Sequence, residues 1–296
     1  MSGEHTAYRP RRSVLYMPSS NERALEKAKT LMVDALIFDL EDAVAPDAKE
    51  QARENACAAA RSGEYGRREV TIRINGIGTR WHDVDLAAAC AAGPDGIVVP
   101  KVGSGDEVRQ LVGAMEAAGA PEHTKLWAMV ETPQAMLHCE EIAGASERLA
   151  ALVMGTNDLA KELHAEHVPG RQPLLTGLGL CLLAARATGT VILDGVYNNV
   201  KDAEGFEAEC LQGRQMGFDG KTLIHPGQVE ACNAAFAPSA EQVEEARGIL
   251  QAWEDGAGSG VVTFGGRMVE SLHVDTARRV LETHEAIRAL EAEADR

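Results

Sequence analysis

Short apolar runs alternate along the chain with longer stretches rich in alanine, leucine and charged residues. Several of these runs are apolar at consecutive positions, such as VVP at 98–100 and LVMG at 152–155, which is typical of parallel strands covered by helices. The pattern predicts strands at residues 14–17, 35–39, 70–74, 96–100, 126–131, 149–155, 190–194 and 218–224. Between them lie segments with helical character, such as residues 21–30, 49–61, 83–92, 106–118, 133–142 and 205–216.

Eight strand–helix alternations favour a (β/α)8 TIM barrel over an open doubly wound sheet, which would have fewer units. The composition changes after Pro226, where the sequence predicts a helix capped by Ser239, a glycine-rich turn, the apolar run VVTF and a last helix from about Glu270. This tail is too small to bury much surface alone. We therefore expect a barrel domain at residues 1–230 and a C-terminal helical lid or oligomerisation segment at residues 231–296.

The composition is that of an acidic, soluble metabolic protein. Among 296 residues, 29 lysines and arginines face 45 aspartates and glutamates, a formal net charge of −16. This charge argues against nucleic acid or an anionic membrane as a partner. The sequence contains neither a signal-peptide pattern nor an apolar run long enough to cross a bilayer, so we expect a cytoplasmic protein. The six cysteines are scattered without a C-x-x-C pair, which predicts buried free thiols.

Charged residues stand where four of the predicted strands end. In a (β/α)8 barrel, the carboxyl ends of all strands meet at the face that carries the active site. Several carboxylates and an arginine on one rim are costly unless a cation or a substrate balances them. The residues in question are Asp39, Glu41, Asp42, Arg73, Glu131 and Asp158.

Glu131 and Asp158 follow consecutive strands, so we expect their carboxylates to be neighbours. Hard oxygen ligands without histidine or cysteine favour Mg²⁺, whose remaining positions would go to water and substrate. Arg73 is a fixed cation with a planar fork, suited to a substrate carboxylate or a developing enolate oxygen. Thr132 and Pro133 fit the start of the next helix, a role compatible with a metal site beside them.

The order of several sequence runs is more specific than any one of them. Together they resemble the citrate lyase β-subunit-like (CitE-like) branch of the HpcH/HpaI aldolase superfamily, over nearly the whole chain. Within that branch, GTNDLAKEL, LGLCLLAARA and GRMVESLH are most similar to the malyl-CoA thioesterases, which are relatives of the malyl-CoA and β-methylmalyl-CoA lyases. The runs include RRSVLYMPSSNERALEKA, DALIFDLEDAV, VTIRING, GIVVPKV, MVETPQAM, LVMGTNDLAKEL, ILDGVY and GRQMGFDGKTLIHPGQV.

The resemblance implies a barrel with a lid, assembled as homotrimers or dimers of trimers. It also implies that Glu131 and Asp158 hold Mg²⁺ (or Mn²⁺) and that Arg73 contacts substrate. The acidic run after the second strand, with Asp39, Glu41 and Asp42, is expected to support the metal-bound waters.

An acidic protein that binds an anionic CoA ester needs a local basic patch. The candidates are Arg9, Arg11 and Arg12 near the first strand and Lys101 after the fourth. Tyr16 and Pro18, in the same run as Arg12, are further expected contacts of substrate or CoA.

The lid departs from the family pattern at one position. Many lyases of the family carry M-[IV]-D-x-P, whereas residues 268–272 read MVESL. Glu270 keeps the charge but moves the carboxylate by roughly 1 Å, and displacements of that size can cost about 10²-fold when chemistry depends on positioning. In those lyases the aspartate reaches the active site of the neighbouring subunit as an acid or base. The resemblance therefore implies such a role for Glu270, either for carbon–carbon chemistry or for water attacking a thioester.

The first functional expectation is a Mg²⁺-dependent carbon–carbon lyase. It would cleave malyl-CoA-type 3-hydroxyacyl-CoA esters into acetyl- or propionyl-CoA and a 2-oxo acid. The alternative is a (3S)-malyl-CoA thioesterase that releases malate and CoA. A citrate lyase β-subunit and a non-catalytic metal-binding barrel are further alternatives. Malyl, methylmalyl and citramalyl groups differ by one methyl, worth only about 1–3 kcal/mol of discrimination.

Overall fold

The computed structural model describes residues 9–256 and 260–294. Contacts divide them into two compact units, of which the larger is Arg11–Phe236. In this unit each strand pairs in parallel with the next, and the last closes on the first, which confirms the (β/α)8 barrel. The strands are β1 (Ser13–Pro18), β2 (Ala35–Asp39), β3 (Glu69–Arg73), β4 (Gly96–Val99), β5 (Lys125–Val130), β6 (Leu149–Met154), β7 (Val191–Asp194) and β8 (Gly220–Leu223).

Helices cover the outside of the barrel. They are α1 (Glu22–Ala28), α2 (Lys49–Arg61), α3 (His82–Ala92), α4 (Gly105–Ala117), α5 (Pro133–Leu137), α6 (Cys139–Ala143), α7 (Thr156–Glu162), α8 (Leu175–Thr188), α9 (Ala203–Met216) and α10 (Val229–Phe236), with 3-10 turns at Pro169–Leu174 and Pro226–Gln228. The helix predicted at residues 133–142 is broken at His138, which ends α5 and begins α6.

The barrel contains two apolar layers. Side chains that alternate along the strands fill its interior, with Ile37, Trp127 and Val153 at the centre. A larger cluster lies between the sheet and the helices. Strand β2 is buried at every position, because one face meets the interior and the other meets the helices. The interior is therefore a packed core that supports the rim above it.

The second unit contains the described residues after Phe236, together with Arg9 and Pro10. Its elements are α11 (Ala240–Asp255), β9 (Val262–Phe264), β10 (Arg267–Val269) and α12 (Ser271–Ala294). Ser239 caps α11 in a capping box with Gln242, as the sequence predicts. The expected division after residue 230 would fall inside α10, which packs on β1, β8 and α9 and so belongs to the barrel. A lid or oligomerisation role for this unit stays a prediction.

All six cysteines lie buried as free thiols, as expected. Within residues 9–256 and 260–294, no helix combines the length and apolar character needed to cross a bilayer.

Candidate active site

A cavity of about 290 Å³ opens among the carboxyl ends of the barrel strands. The rim position follows from strand direction, since all eight strands run the same way. Six of the residues singled out from the sequence line this cavity, and they come from five different segments of the chain. These are Tyr16, Asp39, Asp42, Arg73, Glu131 and Asp158.

Glu131 directly follows β5, and only 2% of its surface is exposed. Its Oε1 accepts a 2.8 Å hydrogen bond from the backbone amide of Lys101. Thr132 caps α5, accepting from the amide of Ala135, and Pro133 occupies the first turn, so the helix start fixes the chain just after the glutamate. The structural role expected for Thr132 and Pro133 and the position of Glu131 in the cavity are therefore compatible.

Asp158 lies in the first turn of α7, immediately after β6. Burial raises the pKa of Glu131 to about 8, and the negative charge of Asp158 is the next largest cause, followed by that of Glu41. Glu131 and Asp158 are thus electrostatic neighbours in one cavity.

The residues present fit a hard divalent cation. The carboxyl groups of Asp39, Glu41, Asp42, Glu131 and Asp158 gather at this rim, where Arg73 pairs with the first three and Lys101 with Asp158. No group of three or more metal-binding side chains occurs among the described residues. Glu131 and Asp158 would therefore supply two protein ligands and leave further positions to water and substrate oxygens, which suits Mg²⁺.

Arg73, the last residue of β3, is held by the loop that follows β2. Its Nε and Nη2 donate to the two carboxylate oxygens of Asp39, both at 2.7 Å. Its Nη1 lies 2.8 Å from Glu41 Oε2 and 3.7 Å from Asp42 Oδ2. We call residues 39–43 the acidic loop. The backbone amides of Glu41 and Ala43 donate back to Asp39, so the acidic loop and Arg73 form one unit.

The ring of Tyr16 forms the floor beneath Arg73, with the guanidinium carbon 4.8 Å from the ring centroid. Burial raises the pKa of the Tyr16 phenol, against the opposing charge of Arg73. The hydroxyl therefore stays neutral. Pro18, the last residue of β1, is half-buried and is not among the residues that line the cavity.

Lys101 has a left-handed backbone with φ of 56°, and its Nζ lies 3.6 Å from Asp158 Oδ1. Burial lowers the pKa of Lys101, but the charges of Asp158 and Glu131 outweigh this effect and raise it. Lys101 lines a second cavity, of about 550 Å³, which shares Asp42 with the first. Of the residues expected to form a basic patch, Lys101 is thus the one whose side chain lies at the carboxyl-end rim of the barrel.

The positions of Arg11 and Arg12 correct the expectation that they bind CoA. Both precede β1 and so lie at the amino end of the barrel, opposite the cavity. Arg12 is 4% exposed and forms a two-point pair with Asp34, and Arg11 does the same with Glu69. Their charges secure the lower rim of the barrel. Arg9 and Glu270 lie in the second unit, where the Glu270 amide donates to His273 Nδ1 at 3.0 Å.

Several cavity residues were not singled out from the sequence. Met129 lies two positions before Glu131 on the inward face of β5, and its sulfur is 3.9 Å from both Tyr16 Oη and Arg73 Nη1. Strand alternation could have identified it. Gly155 carries no side-chain signal, yet its backbone passes against the Glu131 carboxylate. Val196, Thr222 and Ile224 complete the wall from β7 and β8.

The chain is similar to known proteins over most of its length. Residues 12–226 match the family described as HpcH/HpaI aldolase/citrate lyase, and residues 176–286 match a C–C bond lyase of the TIM-barrel fold. A (3S)-malyl-CoA thioesterase of Cereibacter sphaeroides is 51% identical over 290 residues, covering 97% of this chain and 99% of the relative.

The β-subunit of Escherichia coli citrate lyase is 35% identical over 94% of each chain. The CitE protein of Mycobacterium tuberculosis, solved with magnesium, acetoacetate and coenzyme A, superposes with a TM-score of 0.76 at 29% identity, covering 92% of this chain and 97% of that one. The sequence match and the closed barrel together show that the chain belongs to the HpcH/HpaI aldolase/citrate lyase family of enzymes.

Proposed function

We propose that the protein is a metal-dependent thioesterase that hydrolyses (3S)-malyl-CoA or a close 3-hydroxyacyl-CoA ester to the free hydroxy acid and CoA. The main support is the cavity, which is lined by Glu131, Asp158 and Arg73. The chain that forms it is 51% identical to a (3S)-malyl-CoA thioesterase over nearly its full length. This similarity favours hydrolysis over the carbon–carbon cleavage that the sequence analysis put first.

Glu131 and Asp158 would hold Mg²⁺, or Mn²⁺, through their carboxylate oxygens. When bound there, the ion would act as a Lewis acid on the substrate oxygens. The Lys101 amide fixes one oxygen of Glu131, which leaves the other carboxylate oxygen for the cavity. The support for magnesium is the donor set itself, together with the magnesium recorded in the CitE relative.

Arg73 would orient the anionic end of the substrate. Two of its nitrogens are committed to Asp39, and Nη1, which lies 2.8 Å from Glu41 Oε2, is the nitrogen outside that two-point pair. The guanidinium is fixed by the carboxylates and by the Tyr16 ring, which means that little entropy is lost when a substrate carboxylate binds. We infer that Asp39, Glu41 and Asp42 hold Arg73 and order the waters near the metal.

In hydrolysis, water attacks the thioester carbonyl carbon and the carbon–sulfur bond breaks. The proton removed from water goes first to a base and then to the leaving CoA sulfur. We propose Glu270, in its own or a neighbouring subunit, as that base. Assembly as a homotrimer or dimer of trimers belongs to the same proposal and is measured by light scattering on the purified protein.

The lyase is the second candidate, because the citrate lyase β-subunits are relatives at 33–36% identity. One product assay separates the candidates: purified protein is incubated with (3S)-malyl-CoA and Mg²⁺, and the products are resolved by chromatography. Malate plus free CoA is the expected result. Acetyl-CoA plus glyoxylate would overturn hydrolysis in favour of the lyase. Turnover that requires an acyl-carrier partner would indicate a citrate lyase subunit, and no turnover at all would indicate a binding role.

A further inference from the structure

A lysine outside the cavity contacts the back of the acidic loop. Lys49 begins α2 and is only 6% exposed. Its Nζ donates to the backbone carbonyls of Leu40 and Glu41, at 2.8 and 2.9 Å, and to Asn75 Oδ1 at 2.7 Å. An ammonium group has three donors, and all three are used here.

The partners of Lys49 distinguish it from a structural ion pair. Its three acceptors are neutral oxygens, and no ion pair involving it occurs in the described part of the chain. The Trp81 ring centroid lies 5.0 Å from Nζ, which closes the site on another side. A buried charge that binds two consecutive carbonyls of one loop fixes the conformation of that loop, because releasing it would leave buried polar groups unpaired.

Asn75 extends the same contact to β3. Its Nδ2 donates to the Leu40 carbonyl at 3.1 Å and to Asp85 Oδ2 at 2.6 Å, and Asp85 is in turn held by Arg53. Asn75 lies two residues after Arg73, so the same chain segment carries the arginine and the partner of Lys49.

The acidic loop is thus held from both sides. On the cavity side, the Asp39 carboxylate accepts from the amides of Glu41 and Ala43 and from Arg73. On the far side, Lys49 binds the carbonyls of Leu40 and Glu41. The Asp39 carboxylate binds the amides of this turn and Lys49 binds its carbonyls, so both residues are needed to fix it.

We propose that Lys49 is a positioning residue for catalysis: it fixes the acidic loop and thereby the orientation of Arg73 in the cavity. The predicted loss of kcat rests on the proposed function. The predicted effect on the loop rests on the contacts of Lys49 alone. Displacements of about 1 Å at a catalytic group cost roughly 10²-fold in rate. Lys49→Met, which keeps the length of the side chain but removes the donors, should therefore lower kcat about 10- to 100-fold and change KM less than about threefold.

The matched control is Cys57→Ala on the same helix. Cys57 is buried and lies outside the acidic loop and the cavity, so its loss lowers stability without touching Arg73. We expect Cys57→Ala to keep kcat. Hydrogen exchange of the Glu41 and Ala43 amides should become faster in Lys49→Met and stay unchanged in Cys57→Ala. If Lys49→Met does not fold, Lys49→Gln, which retains part of the donor set, is measured in its place.

The proposal is overturned if the lysine variant loses no more kcat than Cys57→Ala, if only KM changes, or if exchange at the two loop amides is unaffected. The exchange measurement needs no substrate. A wild-type protein that fails to hydrolyse malyl-CoA would refute the proposed function, and amide exchange would still test whether Lys49 fixes the acidic loop.

Discussion

Gly155 leaves room for the carboxylate of Glu131: a Cβ atom at position 155 would lie 2.0 Å from Glu131 Oε2 and 2.4 Å from its Cβ. Because the overlap involves the base of the glutamate side chain as well as its tip, rotation of the carboxylate cannot relieve it. The glycine between β6 and α7 is therefore part of the proposed metal site.

Gly155→Ala should displace Glu131 and weaken Mg²⁺ binding at least tenfold, with a loss of activity of about 10²-fold. Gly179→Ala is the control, since a Cβ there meets nothing within 4 Å in the helix α8. That variant should keep activity and gain roughly 0.5–1 kcal/mol of stability. Isothermal titration calorimetry measures the metal affinity, and unchanged affinity in Gly155→Ala would contradict the assignment of Glu131 as a ligand.

Metal binding should release a proton at neutral pH. The pKa of Glu131 is raised to about 8 in the metal-free protein, mainly by burial, so at pH 7 the carboxyl is largely protonated and must ionise to bind a cation. We expect release of roughly one proton per ion and affinity that rises with pH until about pH 8. Calorimetry in two buffers of different ionisation enthalpy measures this number. Glu131→Gln should bind no metal and release no proton.

Glu41 should lower stability at alkaline pH. Burial, with the charges of Asp42 and Asp39, raises the pKa of Glu41 from 4.5 to about 7, despite the opposing effect of Arg73. The folded state therefore holds this proton more tightly than the unfolded state, so the stabilisation is complete below pH 4.5 and is lost as the pH rises through 7.

Glu41→Gln removes this dependence. In urea unfolding with a chelator present, the variant should be more stable than the wild type at pH 8, by on the order of 2 kcal/mol. The difference should shrink steadily toward pH 5. A variant that is less stable at pH 8 would mean that the attraction to Arg73 exceeds the cost of burial.

Lys221 should be essential for stability. It is fully buried, and its Nζ donates to Asp194 Oδ2 at 3.0 Å and to Glu209 Oε1 at 2.8 Å, across a β7–β8 seam with only two residue pairs in register. Lys221→Met leaves Arg171, which lies 2.6 Å from Asp194 Oδ1 and 3.7 Å from Glu209 Oε2, as the cation beside these carboxylates. The loss of the Lys221 bonds should cost on the order of 3 kcal/mol of unfolding free energy. Arg109→Met, which breaks an exposed pair with Asp106, should change it by less than about 1 kcal/mol.

Glu270 provides a test of action between subunits. Arg73→Ala and Glu270→Ala should each lower activity about 10²-fold or more if both groups act on the substrate. If Glu270 serves a neighbouring subunit, mixing and reassembling the two inactive variants creates some sites with both residues intact, and activity should return to a fraction of the wild type. Mixtures that stay inactive, although native mass spectrometry resolves assemblies that contain both variants, would limit Glu270 to its own subunit.

The sequence predicted the barrel because its signal is local and repeated. The runs at 35–39 and 49–61 coincide with β2 and α2. A strand buried on both faces and an amphipathic helix each produce a recognisable hydrophobic pattern over consecutive residues. Helix α8 was not predicted, because its residues are apolar on nearly all sides and lack a helical period. The break at His138 has no glycine or proline to mark it.

The sequence by itself determined the order of strands and helices, the charged residues at the strand ends and the expectation of oxygen ligands for a hard cation. Only the tertiary structure decided which charges share one rim. Arg12 and Arg73 were both expected to contact substrate, yet one lies at the amino end against Asp34 and the other at the carboxyl end against Asp39. Gly155 packs against Glu131, and Lys49 donates to carbonyls of the acidic loop. Such contacts between separate chain segments depend on barrel closure and strand register, which no local sequence pattern contains.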